Sequence, residues 1–279
     1  MDVIAHEPAV RVTIFVAVFG LIGVCELVAP RRPRTISRRI RWPNNLAIPL
    51  LNTLLVRTLL PVTAVGVATL AEERGWGLLH AAGPLPAWLV VLTAVVLLDL
   101  AIYLQHVLFH AVPLLWRLHR MHHADLDVDV TTGARFHPIE IVLSMILKFG
   151  MIVALGAPPL GVLVFEVLLS AGSLFNHANL GLSSRTDGVL RWLVVTPDMH
   201  RVHHSVELEE TDSNFGFTLP WWDRLCGTYR AQPGAGHDGM VLGIAQFRTR
   251  TDLRLDRLLL QPFLEDSAPL AVTTRPVIR

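Results

Sequence analysis

The sequence has few of the residues that solvate a soluble protein and few that cross-link a secreted one. Only 17% of its 279 residues are Asp, Glu, Lys or Arg, whereas 52% are hydrophobic. The two cysteines, Cys25 and Cys226, lie far apart, which excludes a disulfide framework and a thiolate zinc site. A formal net charge of +1 provides no basic field, so no nucleic-acid partner is expected. With so much apolar surface, an integral membrane protein is expected.

Long apolar runs separated by short polar segments predict an all-α, polytopic membrane helical bundle with a histidine-rich cap. A helix of about 20 residues crosses a hydrocarbon core of roughly 30 Å. Three long spans are predicted within residues 10–105 and a helical hairpin within 139–175, as Val10–Ala29, Leu46–Leu70, Pro86–Leu104, Ile139–Leu155 and Leu160–Phe175. The hairpin arms are near the lower length limit, so they either cross fully or only dip into the bilayer. The whole chain, 1–279, is predicted to be one membrane-embedded domain that ends in a flexible tail, 266–279.

Positive charge next to the first span predicts the orientation of the chain. Six arginines lie between Arg31 and Arg41, which marks the cytoplasmic side. The hairpin returns the chain to the same side, so residues 106–138 and the cap, 176–265, are expected in the cytoplasm. The N-terminal run has no small-residue cleavage site, so no cleavable signal peptide is expected. Because 23 of the 24 basic residues are arginine, which is typical of a GC-rich genome, a bacterial inner membrane is the expected location.

Histidine is the residue in surplus, with 13 in the chain. Nine of them form three boxes and one isolated position: His106 and His110; His119, His122 and His123; His200, His203 and His204; and His177. On a helix, residues three or four apart share a face, so each box presents at least two imidazoles together. Nine imidazoles are too many for one metal ion and about right for two. Imidazole suits iron, zinc, copper and nickel, so the ligand type alone does not choose the metal.

Five polar residues are predicted to hydrogen-bond the ligand histidines from behind, as ligand-orienting groups do in metal sites. They are Asp99, His137, Asp198, Asp212 and Asn214, and Asp223 is a further candidate beside the third box. Asp99 lies two helical turns before the first box. The alternative to a ligand-orienting role is that its carboxylate reaches water at the end of the helix. His137 precedes a proline, and its alternative is a hydrogen-bonding role at a helix start.

The remaining histidines and two cations within spans are predicted to lie outside the metal site. His6 and His237 are in polar stretches and are expected to be solvated, while His80 is expected on the opposite side of the membrane from the boxes. Arg57 and Lys148 lie inside apolar runs, where a charge is costly. Each is expected to reach the membrane surface or to pair with another helix.

Six segments together resemble the fatty acid hydroxylase and sterol desaturase superfamily of integral-membrane di-iron oxygenases. They are DLAIYLQHVLFH, WRLHRMHH, RFHPIE, FNHAN, TPDMHRVHHS and DSNFGFTLPWWDRLCGTYR. The segments follow the order of the family from about Asp99 to about Phe263. The resemblance implies two iron ions, O2 as co-substrate, and hydroxylation or desaturation of a lipid such as a sterol or a fatty acyl chain within the membrane.

The resemblance also implies a metal-ligand and catalytic role for each residue of the three boxes and for His177. Some fatty-acyl hydroxylases have a further histidine where this chain has Ser173, so nine ligands are implied rather than ten. The chain has no CxxCH haem attachment, no cysteine set for an iron–sulfur cluster and no GxGxxG fingerprint. Electrons are therefore expected from an external donor, a cytochrome b5-, ferredoxin- or flavoprotein-type reductase.

Two alternatives from other classes use the same histidines. A metal transporter or storage protein would hold zinc, but transport predicts ligands near the bilayer midplane, and these boxes lie beyond the span ends. A di-zinc hydrolase would keep the geometry and change the metal and the reaction. Metal analysis distinguishes both from a di-iron oxygenase.

Overall fold

Helices and loops make up the part of the chain that the computed structural model describes, residues 3–265. Two isolated bridges are the only extended pairing within that range. The α-helices are α1 Glu7–Val28, α2 Arg38–Leu59, α3 Ala64–Arg74, α4 Leu78–Ala81, α5 Ala87–Ala111, α6 Pro113–His123, α7 Pro138–Leu155, α8 Pro159–Asn176, α9 Ser184–Leu190, α10 Pro197–His203, α11 Leu208–Thr211, α12 Trp221–Cys226, α13 Gly236–Gly239 and α14 Leu255–Leu260. Short 3-10 helices cover Thr132–Ala134, Arg250–Leu253 and Gln261–Phe263. The predicted all-α fold is confirmed.

Five helical segments are long and apolar enough to cross a bilayer. They are Glu7–Val28, Arg38–Ala81, Ala87–Ala111, Pro138–Leu155 and Pro159–Asn176, with mean hydropathies between 1.6 and 2.4. The two hairpin arms have 18 residues each, about 27 Å at the helical rise. These segments correspond to the three spans and the hairpin predicted from the sequence, and the chain is a multi-pass integral membrane protein.

The second span differs in one detail from the single predicted run, Leu46–Leu70. It is broken between α2 and α3, because Pro61 has no backbone N–H and disfavours helical geometry at the residue before it. Leu60 accordingly adopts φ −126° and ψ 82°. The hydroxyl of Thr63 then accepts a 3.0 Å hydrogen bond from the backbone N–H of Gly66 and caps α3.

Helix α8 is the centre of the bundle and packs against α1, α3 and α5. Gly161 allows α8 to approach α5 closely, since a Cβ there would lie 3.2 Å from Cβ of Ala94. The turn between α7 and α8 closes one end of the bundle. Gly156 in this turn packs against Gly77, which precedes α4, and both glycines have positive φ. A Cβ on Gly77 would lie 2.0 Å from the backbone nitrogen of Gly156.

A buried ion-pair network stabilises the opposite end of the bundle. The guanidinium of Arg41 donates to both carboxylate oxygens of Asp125 at 2.8 and 2.7 Å and to Asp129 at 2.6 Å. All three side chains are at most 1% exposed. The hydroxyl of Thr132 also donates to Asp125 at 2.7 Å, which fixes the loop that follows α6. The arginine cluster after α1 therefore contributes a structural anchor.

Two further positions, His237 and Lys148, can be compared with the expectations from the sequence. His237 is buried, 3.7 Å from Asp198, so the prediction that it is solvated is wrong. Arg32 donates to its backbone carbonyl and holds this turn against the bundle. Lys148 pairs with Glu166 of the neighbouring helix at 2.9 Å, which is one of the two roles expected for it. The predicted tail, residues 266–279, lies outside the described residues.

Candidate metal centre

The nine predicted ligand histidines converge at one end of the bundle. They come from the end of α5, from α6, from the residue that follows α8, and from α10 and the residue after it. Prolines set the local turns: Pro113 begins α6 and holds Val112 extended, and Pro197 begins α10 behind the capping hydroxyl of Thr196. These turns fold distant boxes onto one another. The nine imidazoles are buried.

The imidazoles divide into two groups, each of a size that suits one metal ion. One group holds five side chains, His106, His110, His119, His123 and His203, and the other holds four, His122, His177, His200 and His204. The candidate ligand atoms within each group lie within 4.8 Å of one another. The second and third boxes contribute to both groups. The structure thus brings the histidines that the sequence singled out into two adjacent groups, each of which could hold a metal ion.

Six of the nine rings have Nδ1 directed at an oxygen atom. Four backbone carbonyls lie next to Nδ1 atoms: Phe215 next to His106, Arg135 next to His122, Ser173 next to His177 and Ser213 next to His203. The other two partners are carboxylates, Asp212 for His110 and Glu140 for His119. The six distances range from 2.6 to 3.1 Å. Each Nδ1–H donates to its oxygen, which fixes the tautomer and leaves the Nε2 lone pair for a metal.

The donor set fits a pair of metal ions. Nε2 of His106 lies 3.1 Å from Nε2 of both His119 and His203, and Nε2 of His177 lies 3.0 Å from that of His122. Because the Nδ1 atoms carry the protons, these Nε2 atoms face one another with lone pairs and cannot hydrogen-bond. Two nitrogen ligands at right angles around one ion, each about 2.1 Å from it, are about 3.0 Å apart.

Buried nitrogens without partners point to the same conclusion. Both ring nitrogens of His123 and of His204, and Nε2 of His110, have no hydrogen-bond partner among residues 3–265. A buried polar atom that lacks a partner costs free energy, and metal ligation is one way to satisfy it. Every one of these rings belongs to one of the two groups.

Burial keeps the imidazoles of the cluster in the neutral form that metal binding requires. Loss of hydration lowers the pKa of His177 to about 4 and that of His203 to about 3. The pKa values of His122, His123 and His204 lie well below the usual range, first because of burial and then because of neighbouring imidazoles. At neutral pH these rings are therefore neutral ligands.

The five residues predicted to support the ligands have different positions. Asp212 accepts the Nδ1–H of His110 at 3.1 Å, so it does contact a ligand ring. Asp99 instead accepts from the indole of Trp222 at 2.8 Å and from the backbone of Leu219. Its carboxylate holds a loop of the cap against α5 and, among the residues that the structure describes, makes no hydrogen bond to a histidine.

The other three supporting candidates also stabilise segments around the histidines. The Nδ1 atom of His137 accepts from the backbone N–H of Ile139 at 3.2 Å and caps α7, the alternative role expected for it. Asp198 forms ion pairs with Arg31 and Arg201. The amide nitrogen of Asn214 donates to the backbone carbonyls of Met199 and Arg230, at 2.9 and 2.8 Å.

Two further carboxylates act next to the candidate ligands: Asp223, which the sequence also suggests beside the third box, and Glu140, which sequence reasoning missed. Glu140 accepts the Nδ1–H of His119 at 2.6 Å. An acid in the first turn of an apolar helix was the available signal, since such a residue is costly in a membrane span without a partner. Asp223 accepts from the backbone N–H groups of Phe215 and Gly216 at 2.8 and 2.9 Å, which positions the Phe215 carbonyl that receives His106.

A cavity of about 230 Å³ extends from the histidine cluster into the bundle. His106 and His119 line one end, and Lys148 and Glu166 line it deeper between α7 and α8. Phe217 lines it as well and packs against His106, with ring centroids 5.0 Å apart. The fold and site therefore define a membrane protein whose buried histidine cluster adjoins a cavity between its spans.

Comparison with known proteins assigns one region of the chain to a family. Residues 91–228, which contain all nine histidines, match the fatty acid hydroxylase family. This region therefore carries the fatty acid hydroxylase pattern, and the resemblance noted in the sequence is confirmed. No solved structure matches the chain significantly.

Several curated relatives share the same region. The chain is 33% identical over 144 residues to the ornithine lipid hydroxylase OlsE of Rhizobium tropici, covering 51% of this chain and 42% of that protein. It is 34% identical over 134 residues to alkylglycerol monooxygenase of Xenopus tropicalis, covering 47% and 28%. The human alkylglycerol monooxygenase is 31% identical over 134 residues, covering 48% and 29%. The matched region spans less than half the length of each of these relatives.

Proposed function

We propose that the chain is an O2-dependent di-iron oxygenase that hydroxylates or desaturates a lipid within the membrane. The observation that carries the proposal is the convergence of nine buried imidazoles in two adjacent groups at the mouth of a cavity between spans. The family match and the names of the relatives, which are hydroxylases and monooxygenases of lipids, support the same reaction class.

Iron is the metal proposed for both groups. Two bound irons would supply reductive activation of O2: in a hydroxylation, one oxygen atom enters a C–H bond and the other leaves as water, with two electrons and two protons consumed. His106, His110, His119, His123 and His203 would hold one ion, and His122, His177, His200 and His204 the other. The electrons are proposed to come from a cytochrome b5-, ferredoxin- or flavoprotein-type reductase.

The residues of this chain hold the ligands in place and keep bulk water away from them. Glu140 and Asp212 keep the protons of His119 and His110 on Nδ1, so that Nε2 remains available. Aromatic rings surround the cluster: Phe136 stacks on His122 with centroids 4.4 Å apart, and other rings pack on the first box. A preorganised, dry pocket strengthens each electrostatic contact within it and protects reactive species from side reactions.

The membrane supplies the route for the substrate. The cavity lies between α5, α7 and α8, all of which are candidate spans, so a lipid reaches it without leaving the bilayer. We place the histidine end on the cytoplasmic face of a bacterial inner membrane, where the arginine-rich segment after α1 supports this orientation.

Metal analysis combined with labelled oxygen tests the proposal. The chain, purified from its own host or one with ample iron, is expected to contain iron at about two ions per chain and to incorporate label from isotopic O2 into a lipid when a reductase is supplied. His203→Ala is expected to abolish label incorporation, whereas His80→Ala, an exposed histidine beside the hairpin turn, is expected to leave it unchanged. Zinc in place of iron, with no label in any lipid, would indicate a di-zinc hydrolase or a metal transporter.

A further inference from the structure

The cavity beside the histidines has an unusually polar wall for a space between membrane spans. Glu140, Ser144 and Lys148 line it at four-residue intervals along α7, which places them on one face of that helix. Ser170 and Glu166 line it from α8. Polar groups are costly in a bilayer, and those that face a shared internal space mark a pathway or binding site. An alkyl chain alone would gain nothing from these groups.

Charges within this wall are balanced. Lys148 lies 2.9 Å from one oxygen of Glu166, and Arg11 lies 3.0 Å from the other. Glu140 also lines the cavity, so its charged side chains are two cations and two carboxylates. Glu7, which is outside the lining, lies 3.6 Å from Arg11. A ligand with net charge would leave an uncompensated ion in a low-dielectric space, which is costly. The cluster therefore favours a polar ligand that is zwitterionic or uncharged.

Glu140 provides an acceptor at the opposite end of the wall. Its Oε1 receives the Nδ1–H of His119, whereas its Oε2 is buried and has no hydrogen-bond partner in the described part of the chain. Lys148 is eight residues further along α7, about 12 Å away along the helix axis. The wall thus presents an unused acceptor next to the histidines and an ammonium group deeper in the bundle.

A second, apolar cavity of about 160 Å³ adjoins the first. The two share Ile102, Gln105 and Lys148. Leu104, Leu108 and Leu147 line the second cavity and are each about half exposed on the lipid-facing surface of α5 and α7. This opening suits a hydrocarbon chain that extends from the bundle into the bilayer.

We propose that the polar cavity receives the polar end of a zwitterionic or uncharged amphiphilic lipid, with an N–H or O–H group on Glu140 and an oxygen acceptor at Lys148, while the hydrocarbon chain leaves between α5 and α7. This inference rests on the proposed function and deepens it. Since the polar end lies beside His106 and His119, oxygen is inserted into the polar end or the carbon next to it, not far along the chain.

Binding to matched amphiphiles tests the placement without relying on activity. The purified chain in lipid nanodiscs is titrated with hexadecane, with the hexadecyl ether of glycerol and with N-hexadecanoyl ornithine, and bound ligand is measured by mass spectrometry. Hexadecane is expected to bind at least about tenfold more weakly than one of the polar amphiphiles, the size of effect given by one hydrogen bond to a charged group. Tighter binding of the glycerol ether would identify the group that donates to Glu140 as a hydroxyl, and tighter binding of the ornithine compound would identify it as an ammonium. Hexadecane binding as tightly as both would overturn the proposal.

Variants locate the subsite. Lys148→Met is expected to weaken binding of the preferred polar amphiphile about tenfold and to leave hexadecane unaffected. If that variant does not fold, Lys148→Met combined with Glu166→Gln removes both members of the pair and is expected to have the same effect. Arg57→Met, an exposed cation that lines neither cavity, is the matched control and is expected to change nothing. Unchanged binding in the Lys148 variants would refute the subsite.

Product analysis separates this inference from the function on which it rests. With the preferred amphiphile, isotopic oxygen is expected in the polar end or on the adjacent carbon. Label far along the hydrocarbon chain would contradict the inference and leave the lipid oxygenase in place. No label in any product, with selective binding of the polar amphiphile retained, would contradict the proposed function and leave the polar subsite.

Discussion

Oε1 of Glu140 lies 2.6 Å from Nδ1 of His119. The histidine belongs to α6, and the acid lies in the first turn of the membrane helix α7. His137 caps that same helix, and Pro138 begins it. The start of α7 is therefore fixed in position next to α6. This contact joins the membrane hairpin to the metal centre.

Removal of the Glu140 carboxylate is expected to weaken one of the two metal sites. Glu140→Ala leaves the Nδ1–H of His119 buried without an acceptor, so the ring reorients and iron affinity at the five-histidine group falls about 10–100-fold. Glu140→Gln, whose amide oxygen still accepts, is expected to have a smaller effect. Iron content per chain and Mössbauer spectra measure the change, with exposed Glu73→Ala as the control. Full iron content and an unaltered spectrum in Glu140→Ala would contradict an orienting role.

Sequence patterns were sufficient for the spans and the ligand candidates because both have strong local signals. Apolar runs of spanning length fix the helices, and the spacing of His119, His122 and His123 places at least two imidazoles on one helical face. The division of the nine rings between two groups has no such signal. Adjacent residues His122 and His123 fall in different groups, as do His203 and His204, and only the packing of α6 against α10 decides this.

Supporting contacts were harder to predict, because they depend on which loop packs where. Asp99 has the correct helical spacing to reach the first box, yet its carboxylate is turned toward Trp222, more than 100 residues away. His237 is in a polar stretch, yet Arg32 and Asp198 hold it in the interior. Both outcomes come from contacts between distant segments, which composition and periodicity do not encode.

His122 and His203, one from each group, are both expected to be essential for turnover. His122→Ala and His203→Ala each remove a buried ligand, one from the four-histidine and one from the five-histidine group. Each is expected to lower lipid oxidation to background while membrane insertion and helical content remain as in the unmodified chain. Activity assays with isotopic O2 and circular dichroism of the purified variants measure both. His6→Ala, at an exposed position, serves as the control, and retained activity in either ligand variant would remove that histidine from the ligand set.

Metal removal is expected to destabilise the histidine end of the protein. Several buried ring nitrogens, including both of His123, have no partner within the described residues, so chelation leaves them unsatisfied. Metal that binds only the folded state stabilises it by about 4 kcal/mol at a thousandfold excess over Kd, so Tm is expected to fall by several degrees on chelation. Thermal unfolding before and after chelation, and again after iron is restored, measures the effect. An unchanged Tm would indicate that the cluster is stable without an ion.

The buried pair of Arg41 and Asp125 is expected to be the most sensitive structural contact outside the ligands. Arg41→Met leaves a fully buried carboxylate with only Arg135, 3.4 Å away, as its remaining cation, and the loss of one partner from a buried pair costs about 3–5 kcal/mol. Because the same loop presents the Arg135 carbonyl to His122, iron in the four-histidine group is expected to be lost together with stability. Thermal unfolding and iron content are measured in parallel. Arg39→Met removes an exposed arginine from the same helix and is expected to change neither quantity, so equal behaviour of the two variants would contradict a role for the buried network in holding the metal site.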